Sequence, residues 1–130
     1  MKQPVKYFKP TESELEILSI LWNKGPSTVR EVNDEMNRNK IVGYTTTLKL
    51  MQIMTEKGIV ERIMDGRMHV YHALAKQEEA QVRMLDRLLE TAFGGSASKL
   101  VMQALGNHKT SGEELREIKE LIQKLEGGEK

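Results

Sequence analysis

The chain has 130 residues, 38% of them hydrophobic, 30% charged and 5% aromatic, with a formal net charge of +1 and no cysteine. That length holds one domain or one domain with an appendage, and the missing cysteine excludes disulfides, thiolate metal sites and a cysteine nucleophile. No apolar run approaches the roughly 18 residues of a membrane span, and Met1 to Pro10 hold no stretch like a signal peptide, so the chain is expected in the cytoplasm.

A first helix is predicted from Thr11-Glu12-Ser13-Glu14, a capping box in which the threonine hydroxyl takes the amide of Glu14 and the glutamate reaches back. Leu15, Leu18, Leu21 and Trp22 follow at helical spacing, and Gly25-Pro26 ends the run. Thr28-Val29-Arg30-Glu31 is a second capping box, and Val29, Val32 and Met36 form a narrow apolar stripe that fades at Asn37 to Lys40. A third helix is predicted from about Tyr44 to Gly58. At about 100° per residue, Leu50, Met51 and Met54 fall near Thr47, while Thr45, Lys49, Gln52 and Glu56 fall opposite.

The period then changes. Ile59 to Met64 reads as a strand, Asp65-Gly66 as a two-residue hairpin turn, and Arg67 to Tyr71 as the return strand, with Met68 and Val70 on one face. From Lys76 a helix carrying Val82, Leu85, Leu88, Leu89, Ala92 and Phe93 runs to Gly94-Gly95. A shorter helix carries Leu100, Val101, Ala104 and Leu105, and Ser111-Gly112-Glu113-Glu114 opens a last one with Leu115, Ile118, Ile122 and Leu125 in a heptad-like stripe. Gly127 to Lys130 reads as a frayed tail. The expected fold is mainly α with a small β hairpin: a winged helix-turn-helix over residues 1–75, then a helical dimerisation region over 76–130.

The helix from Tyr44 is the candidate for function. A helix entering the major groove needs one face fixed in a core and one polar face free to reach bases. Tyr44, Thr45, Thr46, Lys49 and Gln52 supply hydroxyls, methyls, an amide and a cation, and three consecutive threonines are poor helix formers without such a role. Arg62, Arg67 and His69 on the hairpin suit phosphate or minor-groove contacts. Charge agrees weakly: residues 1–75 carry 11 Lys/Arg against 9 Asp/Glu, and residues 76–130 carry 9 against 10. The plainer reading of both elements is a solvated surface.

Metal binding and catalysis have little support. His69 and His72 are three residues apart in or near a strand and so face opposite sides. No phosphate-binding loop, HExxH or GxSxG occurs. No cofactor, metal or catalytic residue is expected, and the protein is read as a non-enzyme. The apolar stripes at Leu85, Leu88, Leu89 and Phe93 and at Leu115, Ile118, Ile122 and Leu125 belong to a segment too short to bury them alone. A second copy is the simplest partner, since DNA readers of this kind commonly use two-fold symmetry.

In their order these motifs resemble the penicillinase-repressor family of bacterial winged-helix regulators, the BlaI/MecI type, over roughly residues 8–126. The resemblance is carried by Thr11 to Leu18 with Leu21-Trp22, Ser27 to Val32, Tyr44 to Leu48 with Glu56-Lys57-Gly58, Asp65-Gly66-Arg67 with Tyr71, and the Gly94-Gly95 step. It implies a homodimer that binds an inverted-repeat DNA operator and represses transcription, with the recognition helix at Tyr44–Lys57 and the wing at Ile59–Tyr71. It also implies relief by proteolysis in the C-terminal segment, through a membrane sensor-protease pathway that detects β-lactam. Where the family's resistance repressors have an Asn-Phe bond, this chain has Gln103-Ala104. A copper-responsive branch carries C-terminal cysteines, which this chain lacks. The competing readings are a winged-helix protein-interaction module without sequence-specific DNA binding and a ligand-sensing regulator.

Overall fold

A computed structural model describes residues 10–128. Capping chemistry sets where the first helices begin. Thr11 Oγ1 accepts the Glu14 amide at 3.2 Å while Glu14 Oε1 accepts the Thr11 amide at 3.0 Å, which opens α1, Glu12–Lys24. Thr28 and Glu31 repeat this exchange at the start of α2, Val29–Met36. The third helix, α3, spans Tyr44–Lys57 and stops at Gly58, whose φ of +77° is the left-handed cap that glycine adopts without strain. An antiparallel hairpin follows, β1 Val60–Asp65 and β2 Met68–Ala73. Three helices complete the chain: α4 Gln77–Ala92, α5 Ala97–Asn107 and α6 Gly112–Glu126. The expected class, mainly helical with one small hairpin, is the one observed. The readings made of Met1 to Lys9 and of Glu129-Lys130 lie outside the described residues.

The hairpin turn differs from expectation by one residue. Asp65 pairs with Met68, so the loop residues are Gly66 and Arg67 rather than Asp65 and Gly66. Gly66 has φ +66°, and no non-glycine residue among those described has positive φ. That is the sign pattern of a II′ loop, which needs glycine only at its first position and spares Asp65 a strained conformation. Met68 and Val70 do share a face, but it is the outer one. Ile63, opposite Val70, and Met68 both stay exposed, while Val60 and Tyr71 on the other face are buried.

The chain divides into two compact units, Met1–Asp86 and Arg87–Lys130, that part within α4. The core of the first joins Ile17, Leu18 and Leu21 of α1, Val29, Val32 and Met36 of α2, Met51 and Met54 of α3, and Ile59, Val60 and Tyr71 of the hairpin. Ile17, absent from the expected α1 stripe, is fully buried, whereas Leu15 and Trp22 are half-buried. Trp22 Nε1 donates to the Ala75 carbonyl at 2.9 Å. Ala75 and Ala80 are buried in the same core, so this unit reaches past residue 75 into the first turns of α4. The hairpin is joined to the helices at its base by Ser27 and Tyr71, whose amides donate to each other's carbonyls at 3.1 and 2.8 Å.

A charged contact links the two ends of the helical part. Glu14, 2% exposed, accepts from Lys57 Nζ at 2.7 Å, tying the start of α1 to the end of α3. Burial alone would raise the Glu14 pKa. The Lys57 ammonium and the Thr11 amide more than reverse that, and the carboxyl lies below its ordinary 4.5. A carboxyl depressed in the folded state stabilises at pH above its unfolded value and loses that contribution as pH falls through its folded value. Lys57→Ala is therefore expected to cost ~1–3 kcal/mol at neutral pH, as a buried charge losing its partner does. In urea unfolding, its deficit against the wild type should be full at neutral pH and shrink below about pH 4.5. A deficit that does not change with pH would show that the ion pair is not its source.

Candidate nucleic-acid interface

The second and third helices are set against each other by asparagines. The Asn33 side-chain amide donates to the Val42 carbonyl at 3.1 Å and to Thr47 Oγ1 at 2.8 Å. The Asn37 amide donates to the carbonyls of Asn33 and Val42, both at 2.8 Å, and its oxygen accepts the Val42 amide at 3.0 Å. Thr47 is fully buried, and its hydroxyl also lies 3.8 Å from Met36 Sδ. Together these bonds satisfy the polar groups of the turn between α2 and α3 and of the only threonine of the triplet that faces inward. Asn33 and Asn37 were not singled out from sequence. Their spacing of four, just before a helix break, was the available signal.

With Thr47, Met51 and Met54 buried and Leu48 and Leu50 packed against the core, the opposite face of α3 turns outward. Tyr44, Thr45, Thr46, Lys49, Gln52 and Glu56 are all exposed, as expected from the sequence. The helix begins at Gly43 with no side-chain cap and no acidic residue in its first turn. Its first amides are thus left to solvent or to an anion.

Between α2, α3 and the hairpin lies an open groove of about 1300 Å³. Tyr44 and Gln52 line its helical side, and Arg62, Arg67 and His69 line its hairpin side. Of the expected site residues, the groove brings these five together. Thr45, Thr46 and Lys49 are not among its lining residues and stand on the outer face of α3. Arg62 faces Tyr71 across the strands and His69 faces Met64, which puts both on the hairpin face that carries Tyr71. Arg67 stands at the tip. Among the described residues, Lys49, Arg62 and Arg67 have no ion-pair partner, whereas Lys40 is held by Glu16 at 2.6 Å and Arg38 by Glu35 at 3.1 Å. Of the groove's acids, Glu31 is committed to the Thr28 cap, and the Thr28 amide holds its carboxyl below the usual range.

One cation in the groove was missed from sequence. Arg30, at the second position of α2, has its guanidinium carbon 5.2 Å from the Tyr44 ring centroid. A cation in a first helical turn opposes the helix dipole, and that mismatch was the signal that could have found it.

The second unit is built differently. Leu88, Leu115, Ile122 and Leu125 are exposed, Leu89, Phe93 and Ile118 are half-buried, and no residue of α5 or α6 is buried. Leu85, on the part of α4 that belongs to the first unit, is 44% exposed. Val101, Met102 and Leu121 are exposed large apolar side chains beyond those expected to form an interface. Gln103 and Ala104 are exposed too, but their backbone is inside α5, where the Gln103 carbonyl accepts from Asn107 at 2.9 Å. Among the described residues no helix is long and apolar enough to cross a membrane.

Three helices, a hairpin of two strands and a bridge from the loop between the first two helices to the second strand define a winged helix-turn-helix protein. A MarR family protein from Bacillus stearothermophilus shares this fold, with a TM-score of 0.52 at 21% identity over 93% of this chain and 76% of that one. The chain belongs to the penicillinase repressor family, which it matches over residues 10–124. The penicillinase repressor of Staphylococcus aureus is 21% identical over 85% of this chain and 87% of its own length. The methicillin resistance regulatory protein MecI of Staphylococcus aureus (strain N315) is 19% identical over 92% and 97%. The transcriptional regulator BlaI of Mycobacterium tuberculosis is 25% identical over 88% and 83%. The family is one of transcriptional repressors rather than enzymes.

The Asn33–Thr47 bond generates a prediction about how α3 is held. Asn33→Ala should lower stability by ~1–3 kcal/mol, because the Thr47 hydroxyl then stays buried without its donor. Thr47→Val in the same chain should recover part of that loss, since both polar partners are then gone. Urea denaturation of the two single variants and the double variant measures the coupling. Strictly additive losses would mean that the bond does not hold α3 in place.

Proposed function

We propose that the protein is a homodimeric, sequence-specific transcriptional repressor of the cytoplasm that binds an inverted-repeat operator in double-stranded DNA. The observation that carries the reading is the division of α3. Its inner face is locked in the core, while Thr45, Thr46, Lys49 and Gln52 stand clear of it as exposed side chains. A helix so held can enter a major groove with fixed orientation. The threonines and Gln52 offer hydrogen bonds and methyl contacts to base edges, and Lys49 a cation for guanine or phosphate. Tyr44 stands at the helix's leading end. The hairpin supplies Arg62, Arg67 and His69 to phosphates or the adjacent minor groove.

The C-terminal helices serve assembly in this reading. Leu88, Leu89, Phe93, Leu115, Ile118, Ile122 and Leu125 each forgo part of the roughly 1.5–3 kcal/mol that full burial gives, and a second copy covers them by symmetry; Leu85 extends this interface at the end of the first unit. An inverted repeat offers such a dimer two half-sites about 34 Å apart, one turn of DNA, with one α3 for each. Release by proteolysis at Gln103-Ala104, through a membrane sensor-protease pathway, belongs to the same proposal. The helical backbone there requires local opening of α5 before cleavage.

The reading is tested with a labelled duplex taken from the DNA upstream of the protein's own gene, titrated at several salt concentrations. Binding should weaken steeply with salt, as counterion release requires. Lys49→Ala and Thr46→Ala should each weaken it by roughly 1–3 kcal/mol with unchanged circular dichroism. Full affinity in both variants would remove α3 as the reader. Binding that ignores salt would favour a protein-interaction module instead.

Assembly is tested separately by sedimentation velocity. The wild type is expected to run as a dimer at micromolar concentration. Ile122→Glu with Leu125→Glu should run as a monomer and bind the duplex far more weakly, since two half-sites are no longer engaged at once. A monomeric wild type would refute this role for the C-terminal helices.

A further inference from the structure

We infer that Arg30, held over the Tyr44 ring, is a DNA-phosphate contact on the helical wall of the groove, and that Tyr44 acts by positioning it. The inference rests on the DNA-binding reading of α3 and adds a residue and a role to it. Arg30 is exposed and has no carboxylate partner among the described residues. The nearest acid in sequence, Glu31, is taken up by the Thr28 cap. What holds the guanidinium is the ring face 5.2 Å away, a contact that leaves its N–H groups free to donate.

The placement decides the ligand. Arg30 and Tyr44 line the groove opposite Arg62, Arg67 and His69. A nucleic-acid backbone lying between a helix in the major groove and a wing in the next minor groove passes through such a space, with Arg30 on one side and Arg62 and Arg67 on the other, beside Asp34 and Asp65 in the same lining. A guanidinium presents paired donors that match phosphate oxygens. Tyr44 is the first residue of α3 and Arg30 belongs to the first turn of α2. Their contact therefore fixes the cation relative to the reading helix, so that a phosphate held by Arg30 sets the depth at which α3 sits. The role is to position; sequence is read elsewhere on the helix.

Four single variants of the full-length protein, and Arg30→Ala combined with each Tyr44 variant, test this, with affinity measured by fluorescence anisotropy on an operator duplex and on an unrelated duplex over a range of salt. Arg30→Ala should weaken both complexes by about the same factor, near tenfold for a lost charge-assisted contact. It should also lower the salt slope by about one. Arg30→Lys should keep the slope and regain part of the affinity. Tyr44→Leu, which removes the ring, should weaken binding, and adding Arg30→Ala to it should cost less than Arg30→Ala costs alone. Tyr44→Phe, which keeps the ring, should leave that coupling intact. Unchanged melting temperatures separate these effects from misfolding. An Arg30→Ala variant with unaltered affinity and slope overturns the inference. So does one that loses only operator preference, or one whose loss is the same with and without the Tyr44 ring. If wild-type protein binds neither duplex, the DNA-binding reading itself fails, a result distinct from all of these.

Discussion

At Tyr71 the hairpin and the helical core become one structure. The residue's amide and carbonyl exchange hydrogen bonds with Ser27, and its side chain is the largest of those fully buried. Two strands alone are marginal in water. Here the second strand gains a one-residue neighbour in the loop between α1 and α2, and Tyr71 enters the packing of both helices. The position of the hairpin relative to α3, and so the existence of a groove between them, follows from this attachment. Glu14 and Lys57 do comparable work at the other end by tying the first helix to the third.

The helix proposed to read DNA is held by interactions of different kinds on different sides. Methionines 51 and 54 anchor it by packing, and Thr47 anchors it by accepting a bond from Asn33. The bond is directional where packing is not, and it specifies the rotation of α3 about its axis. That rotation decides which of Thr45, Thr46 and Lys49 face outward. The C-terminal helices show the opposite condition. Of these, α5 and α6 have regular caps, such as Ser111 with Glu114, but no buried residue of their own. Their apolar stripes are a requirement for a partner expressed as sequence pattern.

Most of the architecture was legible because it rests on local rules. Both early capping boxes form as the spacing of Thr11 with Glu14 and Thr28 with Glu31 implies. The third helix has the bounds that Tyr44 and Gly58 suggest. The inner and outer faces of α3 follow from angular position, which is why its exposed residues could be named in advance. What escaped depends on contacts distant in sequence. The turn register was misplaced because Asp-Gly fits an I′ loop locally, while the pairing of Asp65 with Met68 selects another. Ile17 escaped the α1 stripe because the face α1 buries is set by where α2 and α3 lie. The contact of Arg30 with Tyr44 and the bond of Asn33 to Thr47 each span 14 residues and exist only once α2 and α3 are packed.

The two-residue loop at Gly66 and Arg67 has a consequence for entropy. A longer, looser wing tip would have to order its backbone on meeting a partner, at about 1–2 kcal/mol per residue fixed. Here the strands hold Asp65 and Met68 in register on either side, and the loop between them has no slack. Only the rotamers of the Arg67 side chain remain to be restricted, a cost of about 0.5–1.5 kcal/mol. The cation at the tip thus stands on a support whose ordering was completed when the protein folded, and what it gains from an encounter is spent almost entirely on the encounter itself.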